Sequence, residues 1–221
     1  MSVLSRKLAA EFVGTALLLA TIVGSGIMGE RLSAGNAGIA LLANALATGA
    51  VLYALISAMG SISGAHFNPV VTLAEAWLGR LSWRQVGAYV LVQIVAALAG
   101  VVAAHWMFEL PAFFASQHVR SGPSQVFSES VATFGLVTVI LNCARWKPGA
   151  IPAAVAAYIA AAYWFTASTS FANPAVTLAR ALTDTFSGIR PADAPAFIAA
   201  QFIGAAMAAG LHRWMIAKRT S

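Results

Sequence analysis

Asn-Pro occurs twice in this chain, each time inside the same pattern: Phe67-Asn68-Pro69-Val70-Val71-Thr72-Leu73-Ala74 and Ala172-Asn173-Pro174-Ala175-Val176-Thr177-Leu178-Ala179. Asn is a strong N-cap, and Pro suits the first helical turn, where its missing N–H would be unpaired anyway. Both pairs therefore read as helix starts. The helix after Asn68 can run to about Gly79, on the order of 17 Å and half of a hydrocarbon core. Two such half-helices entering from opposite faces would meet N-terminus to N-terminus at the midplane. Each end carries roughly +0.5 of a charge, and two together repel cations, hydronium included. Asn68, Asn173, Pro69, Pro174, Val70 and Ala175 are the candidate midplane residues. The approach segments, Ser61-Ile-Ser-Gly-Ala-His66 and Ala167-Ser-Thr-Ser-Phe-Ala172, would be non-helical. Such backbone is tolerated at membrane depth only where it is buried in protein or lines water. Its carbonyls then form a ladder of acceptors. The pattern predicts a passive channel for small neutral hydroxylated solutes.

The surroundings of these motifs are membrane-like. Of 221 residues, 60% are apolar and 9% charged, against about 25% charged in an ordinary soluble domain, and mean hydropathy is +0.80. This composition excludes a soluble enzyme, a disordered chain and a nucleic-acid binder. The net charge of +6 reflects scarce acids, not a basic cluster. Charge-free stretches place spans near 8–28, 37–59, 84–106, 127–144, 150–168 and 195–216. The first apolar run, Phe12 to Met28, is too long for a signal h-region and reads as a retained span. Six spans use roughly 120 residues at ~20 each, leaving loops but no second soluble domain. Even parity puts Arg6, Lys7, Arg80, Arg84, Arg145, Lys147, Arg213, Lys218 and Arg219 on one side and Arg31, Arg120, Arg180 and Arg190 on the other. By the positive-inside rule both termini are cytoplasmic, in a multi-pass protein of the inner (plasma) membrane. Trp83, Trp106, Trp146 and Trp214 flank the spans as interfacial aromatics do.

The chain also repeats itself. Glu11-Phe-Val-Gly-Thr15 recurs as Glu129-Ser-Val-Ala-Thr133 at an offset of 118 residues, the Asn-Pro motif at 105, and Tyr89 with Gln93 as Phe197 with Gln201 at 108. Three spans per half is an odd number, so the second half enters the bilayer inverted, as in transport proteins. The expected fold is an all-α membrane protein: six transmembrane helices plus two re-entrant half-helices. It would form a single channel domain over 1–221 with inverted repeats about 7–110 and 125–218.

Ala10-Glu11-Phe-Val-Gly-Thr15, Ser63-Gly-Ala-His-Phe-Asn-Pro-Val-Val-Thr72, Gln93, Glu129, Ser170-Phe-Ala-Asn-Pro-Ala175 and Gln201 together resemble the major intrinsic protein family, the aquaporins and aquaglyceroporins. The resemblance covers nearly the whole chain. It implies six tilted helices, two half-helices and a homotetramer with one pore per subunit. It also implies an outer constriction at four positions, which fall by spacing on Thr48, Ala161, Ser170 and Val176. Most aquaporins carry arginine at the last of these. Valine removes a fixed charge and five donors, and small residues at Thr48 and Ala161 widen the opening. A register slipped by two would instead bring Tyr163 into the pore and narrow it. Asn-Pro-Val in place of Asn-Pro-Ala puts two further methyls at Val70. The pattern without the filter arginine resembles a bacterial subgroup associated with arsenite handling. That ranks glycerol-like polyols and metalloid hydroxides above water alone, with a water-selective channel as the alternative. An ion-coupled transporter is disfavoured, because no spare mid-span charge is available to bind a coupling ion.

The remaining polar residues read as support. Glu11 and Glu129, intramembrane carboxylates, would accept backbone hydrogen bonds from the non-helical segment of their half; a proton relay is the competing reading. Gln93 and Gln201 would brace the same loops. His66 would line or brace the cytoplasmic vestibule, with gating protonation as an alternative. Asp184, Arg190 and Asp193 read as a solvated outer face. Cys143 is single and packs as a small hydrophobe. No cofactor, metal cluster or nucleophile–base pair is expected, so the chain is not read as an enzyme.

Overall fold

In the computed structural model, which describes residues 2–217, the described residues form helices and no strands. Six helices are long and apolar enough to cross a membrane: α1 (Val3–Leu32), α2 (Ala37–Ser63), α4 (Trp83–Met107), α5 (Pro123–Trp146), α6 (Ile151–Phe165, entered through a 3-10 turn at Pro148–Ala150) and α8 (Ala194–Ile216). Two are short: α3 (Pro69–Trp77) and α7 (Pro174–Arg180), ~14 Å and ~10 Å long at 1.5 Å per residue. α3 stops short of the expected Gly79 because that glycine takes φ +76°. α6 ends at Phe165, before the expected 168, where Thr166 turns extended and its hydroxyl bonds the Ala162 carbonyl at 2.7 Å. Lys218 and Arg219, counted above for orientation, lie outside the described residues, as does the last residue of the second expected repeat. Trp83, Trp106, Trp146 and Trp214 are all exposed, as an interfacial belt requires.

α1 packs against α4 and α2, α5 against α8 and α6, and α2 against α6. Small residues permit these approaches. A Cβ on Gly100 of α4 would lie 2.3 Å from the Ala16 carbonyl oxygen of α1, and one on Gly204 of α8 would lie 2.4 Å from the Ser130 oxygen of α5.

The non-helical stretches are 64–68 and 166–173: residues 61–63, expected outside the helix, complete the last turn of α2, which ends where Gly64 turns left-handed. The two stretches share one backbone solution. Gly64, Ala65 and Phe67 have φ of +94°, +49° and +49°; Thr169, Ser170 and Ala172, each 105 residues later, have +59°, +52° and +47°. Left-handed non-glycine residues cost on the order of 1–3 kcal/mol each and persist only where the surroundings hold them. The holding groups are the buried carboxylates. Glu11 accepts from the N–H groups of His66 (3.0 Å) and Phe67 (2.8 Å), the Ser63 hydroxyl (2.7 Å) and the Gln93 amide (2.8 Å). Glu129 accepts from the N–H groups of Phe171 (2.8 Å) and Ala172 (2.9 Å) and from the Gln201 amide (2.7 Å). Each glutamine also donates to a half-helix threonine, Gln93 to Thr72 at 3.0 Å and Gln201 to Thr177 at 2.9 Å. Both oxygens of each carboxylate accept hydrogen bonds from these groups.

Substituting Glu129→Ala strands two buried N–H groups at roughly 1–3 kcal/mol each. The expected outcome is a clear loss of monodisperse protein in detergent and a lower melting temperature, with Glu129→Gln milder. Unchanged yield and melting would remove the bracing role.

Candidate functional site

The half-helices meet end to end. Asn68 caps α3 by accepting from the Val70 N–H at 3.1 Å, and Asn173 caps α7 by accepting from Ala175 (3.0 Å) and Val176 (3.3 Å). Each amide then reaches across. Asn68 Nδ2 donates to the Ala172 carbonyl at 2.7 Å, and Asn173 Nδ2 to the Phe67 carbonyl at 2.8 Å. A primary amide has two donors, so one N–H of each asparagine locks the halves together and one stays available. Both asparagines line a cavity of about 450 Å³.

Four spanning helices wall this cavity in stripes of helical period. α1 presents Leu18 and Ile22, α2 Thr48, Leu52 and Ile56, α5 Leu136, Ile140 and Ala144, and α6 Ile151, Val155, Ile159 and Tyr163. Residues four apart share a face. The stripe decides the open register: Tyr163 lines the cavity, and its phenol lies 3.2 Å from the Thr48 hydroxyl. Ala161 does not line it. Two residues from Ile159 and Tyr163 it stands ~200° around the helix, and it is exposed on the outer face. Counting back from Asn173 crosses residues 166–172, which are not helical, so the count loses the helix phase.

The other expected positions divide. Thr48, Ser170, Val176 and His66 all line the cavity. The His66 ring also bonds the Thr72 hydroxyl at 3.1 Å, so bracing and lining coexist there. Pro69, Pro174 and Ala175 are buried away from the cavity wall. So is Val70, which packs with Ala74, Val137, Leu141 and Ala205 between α3, α5 and α8. Its extra methyls fill a helix contact, and Val71 is the residue on the wall.

Two arginines were missed as site residues. Arg180 and Arg120, counted above only as outer-side charges, are 2% and 8% exposed, and Arg180 lines the same cavity. The available signal was spacing: Arg180 follows Val176 by four residues, one turn along the same face. Asp193, read as solvated, is buried. It accepts from the Arg190 guanidinium at 2.8 Å and the Arg120 N–H at 2.9 Å. The strap 111–122 is stitched over the exit of α7 by Phe114 N–H to Leu182 O (3.2 Å), Ser116 N–H to Ala181 O (3.0 Å) and Arg190 N–H to His118 O (2.8 Å). His105 fastens its base, one ring nitrogen on the Ala112 carbonyl at 2.9 Å and the other on the Thr183 hydroxyl at 2.7 Å.

This geometry, a cavity lined at its waist by two opposed Asn-capped half-helices, has relatives. The major intrinsic protein description matches residues 1–159 and 144–220. The chain belongs to the major intrinsic protein family. It is 54% identical over 213 residues to the aquaglyceroporin AqpS of Rhizobium meliloti (strain 1021), covering 96% of this chain and 91% of that protein. It is 34% identical over 143 residues to the aquaporin NIP3-1 of Oryza sativa subsp. japonica, covering 62% of this chain and 44% of the relative. In fold it resembles the X-ray structure of the aquaglyceroporin from Plasmodium falciparum, with a TM-score of 0.70 over 95% of each chain at 17% identity.

Two outcomes follow from the geometry. Tyr163→Ala should raise glycerol permeability several-fold, whereas Ala161→Phe should leave it unchanged, both read by reswelling of proteoliposomes; the reverse pattern would restore the other register. In the loop between α7 and α8, the Arg190 hydrogen bond holds the Asp193 carboxyl below its usual range. A carboxyl depressed in the folded state contributes stability above its ordinary pKa and loses it as pH falls through the folded value. The Arg120 amide should therefore stay protected from hydrogen exchange at mildly acidic pH and lose protection only below the ordinary carboxylate range. In Asp193→Asn it should be less protected already at neutral pH.

Proposed function

We propose that this protein is a passive channel whose solutes are glycerol-like polyols and metalloid hydroxides such as arsenite, with water also passing. The observation that carries the reading is the two-sided wall. Stripes of Leu, Ile and Val from α1, α2, α5 and α6 face one another along the cavity, while Asn68, Asn173, Thr48, Tyr163 and Ser170 supply donors and hydroxyls. A polyol or a trihydroxide presents the same two kinds of surface: oxygens that need hydrogen bonds and a body that does not. Val176 adds no donor from the first turn of α7, so a solute there is not held by a bidentate guanidinium. The 54% identical relative is named an aquaglyceroporin, which supports the same class.

The single channel domain, with its two halves as inverted repeats, belongs to this reading, supported by the matched backbone of 64–67 and 169–172. So does the homotetramer with one pore per subunit, in the inner membrane with both termini cytoplasmic, where Lys and Arg are in excess. The chain performs transport without a cofactor and without catalysis.

A second reading, a water-selective channel, rests on one observation: the Tyr163 phenol meets Thr48 across the cavity at 3.2 Å and narrows the passage that small side chains would have left open. Stopped-flow light scattering on proteoliposomes separates the two. Osmotic water flux, glycerol reswelling and arsenite uptake are recorded on one preparation, with Val176→Arg beside it. Fast glycerol or arsenite entry, reduced more than water by Val176→Arg, is the expected result. Fast water without solute entry would establish the second reading, and absence of all flux in a folded protein would end both.

A further inference from the structure

We propose that Arg180 is the charge-selecting residue of the outer constriction, supplying from the last turn of α7 the guanidinium that Val176 does not; this rests on the channel reading above. Arg180 lines the cavity together with Thr48, Tyr163, Ser170 and Val176. It is 2% exposed, yet no carboxylate pairs with it: the salt bridges among the described residues are Arg80–Glu75 and Arg190–Asp193. Glu129 is already occupied by two N–H groups and the Gln201 amide. Removing a charge from water without a partner is costly, so such groups are rare away from functional sites.

Arg180 is held without being neutralised. Its Nε donates to the Ser187 carbonyl, and its guanidinium carbon lies 3.4 Å from the centroid of the Phe171 ring, a stacked cation–π contact. Among the described residues its two terminal amino groups donate to nothing, which leaves them for the cavity. Arg120 differs. Its guanidinium carbon is 5.1 Å from the same ring. Its donors go to Gly188 O (2.7 Å), Ser168 O (3.4 Å), Thr169 Oγ1 (3.3 Å) and Phe186 O (3.5 Å). Arg120 therefore buttresses the loop and adds to the local field, and Arg180 has donors to spare. A second unused polar group lies beside it: Ser170, 3% exposed, lines the cavity, and its buried Oγ has no partner among the described residues.

The Arg180 terminal amino groups and the Ser170 hydroxyl together make a subsite for the oxygens of a neutral solute. A fixed positive charge in a low-dielectric passage raises the barrier for every cation while leaving an uncharged solute unopposed. Val176 thus relaxes the geometry of the constriction without surrendering its sign.

The test uses the full chain in planar bilayers and proteoliposomes, with potassium conductance and glycerol reswelling measured on the same protein. The wild type is expected to be tight to potassium and permeable to glycerol. Arg180→Met keeps an apolar contact with Phe171 and removes the charge. It is expected to raise potassium conductance by roughly tenfold or more, equivalent to about 1.4 kcal/mol of lost repulsion. Arg180→Lys should stay tight. Should Arg180→Met fail to fold, Ser170→Asp places a neutralising carboxylate in the same subsite without altering α7, and the same rise in potassium conductance is expected. A variant that folds, passes glycerol and remains tight would overturn the assignment, as would a wild type that already leaks potassium. Absence of water and solute flux in the wild type would instead overturn the channel reading itself.

Discussion

Two buried carboxylates hold the rest of this structure in place. Between α2 and α3, and again between α6 and α7, the chain leaves the helix at membrane depth, where an unpaired N–H costs several kcal/mol and water is absent. Glu11 and Glu129 take those N–H groups. They also hold left-handed residues that would otherwise relax, including Thr169 and Ser170 in a segment with no glycine. Once the segments are set, Asn68 and Asn173 are aimed at one another's half and the short helices have one possible direction. The two halves settle the same packing problem with different side chains. Phe67 is admitted by Gly14, whose Cβ would lie 2.0 Å from the ring, whereas the second half has the smaller Ala172 and Ala132 at the corresponding positions, both in the buried core.

The passage that results is mixed in character by construction. Spanning helices contribute apolar stripes because they must also face lipid and one another. The broken segments contribute the polar groups because their backbone is not consumed by helix bonds. Solute oxygens therefore meet the protein along the broken segments and at the few hydroxyls set among the stripes, Thr48 and Tyr163 foremost. Arg180 brings a guanidinium to the cavity at the exit of α7, where it and Arg120 flank Phe171 beneath a strap that carbonyl groups and Asp193 hold down.

Much of this architecture is legible in the order of the residues. Alternating charge-free stretches set the six spans, because burying a charge in hydrocarbon is prohibitive. Asn-Pro set both short helices, because capping and proline geometry are local. The offset recurrence of Glu, Asn-Pro and Gln predicted the bracing, because carboxylates at such depth need donors and only broken backbone offers several at once. Thr48, Ser170, Val176 and His66 were placed on the cavity through these anchors. The remaining features depend on packing between distant segments. Whether Ala161 or Tyr163 faces the cavity depends on helix phase, which a count through the extended residues 166–172 does not carry. Whether Val70 faces the cavity or α5 depends on how α3 is rotated, which neighbours settle. Arg120, Arg180 and Asp193 looked like loop charges because their burial is produced by a strap and a helix exit far apart in sequence. Local chemistry is written in neighbouring residues; the face a side chain presents and the charge it meets are properties of the assembled fold.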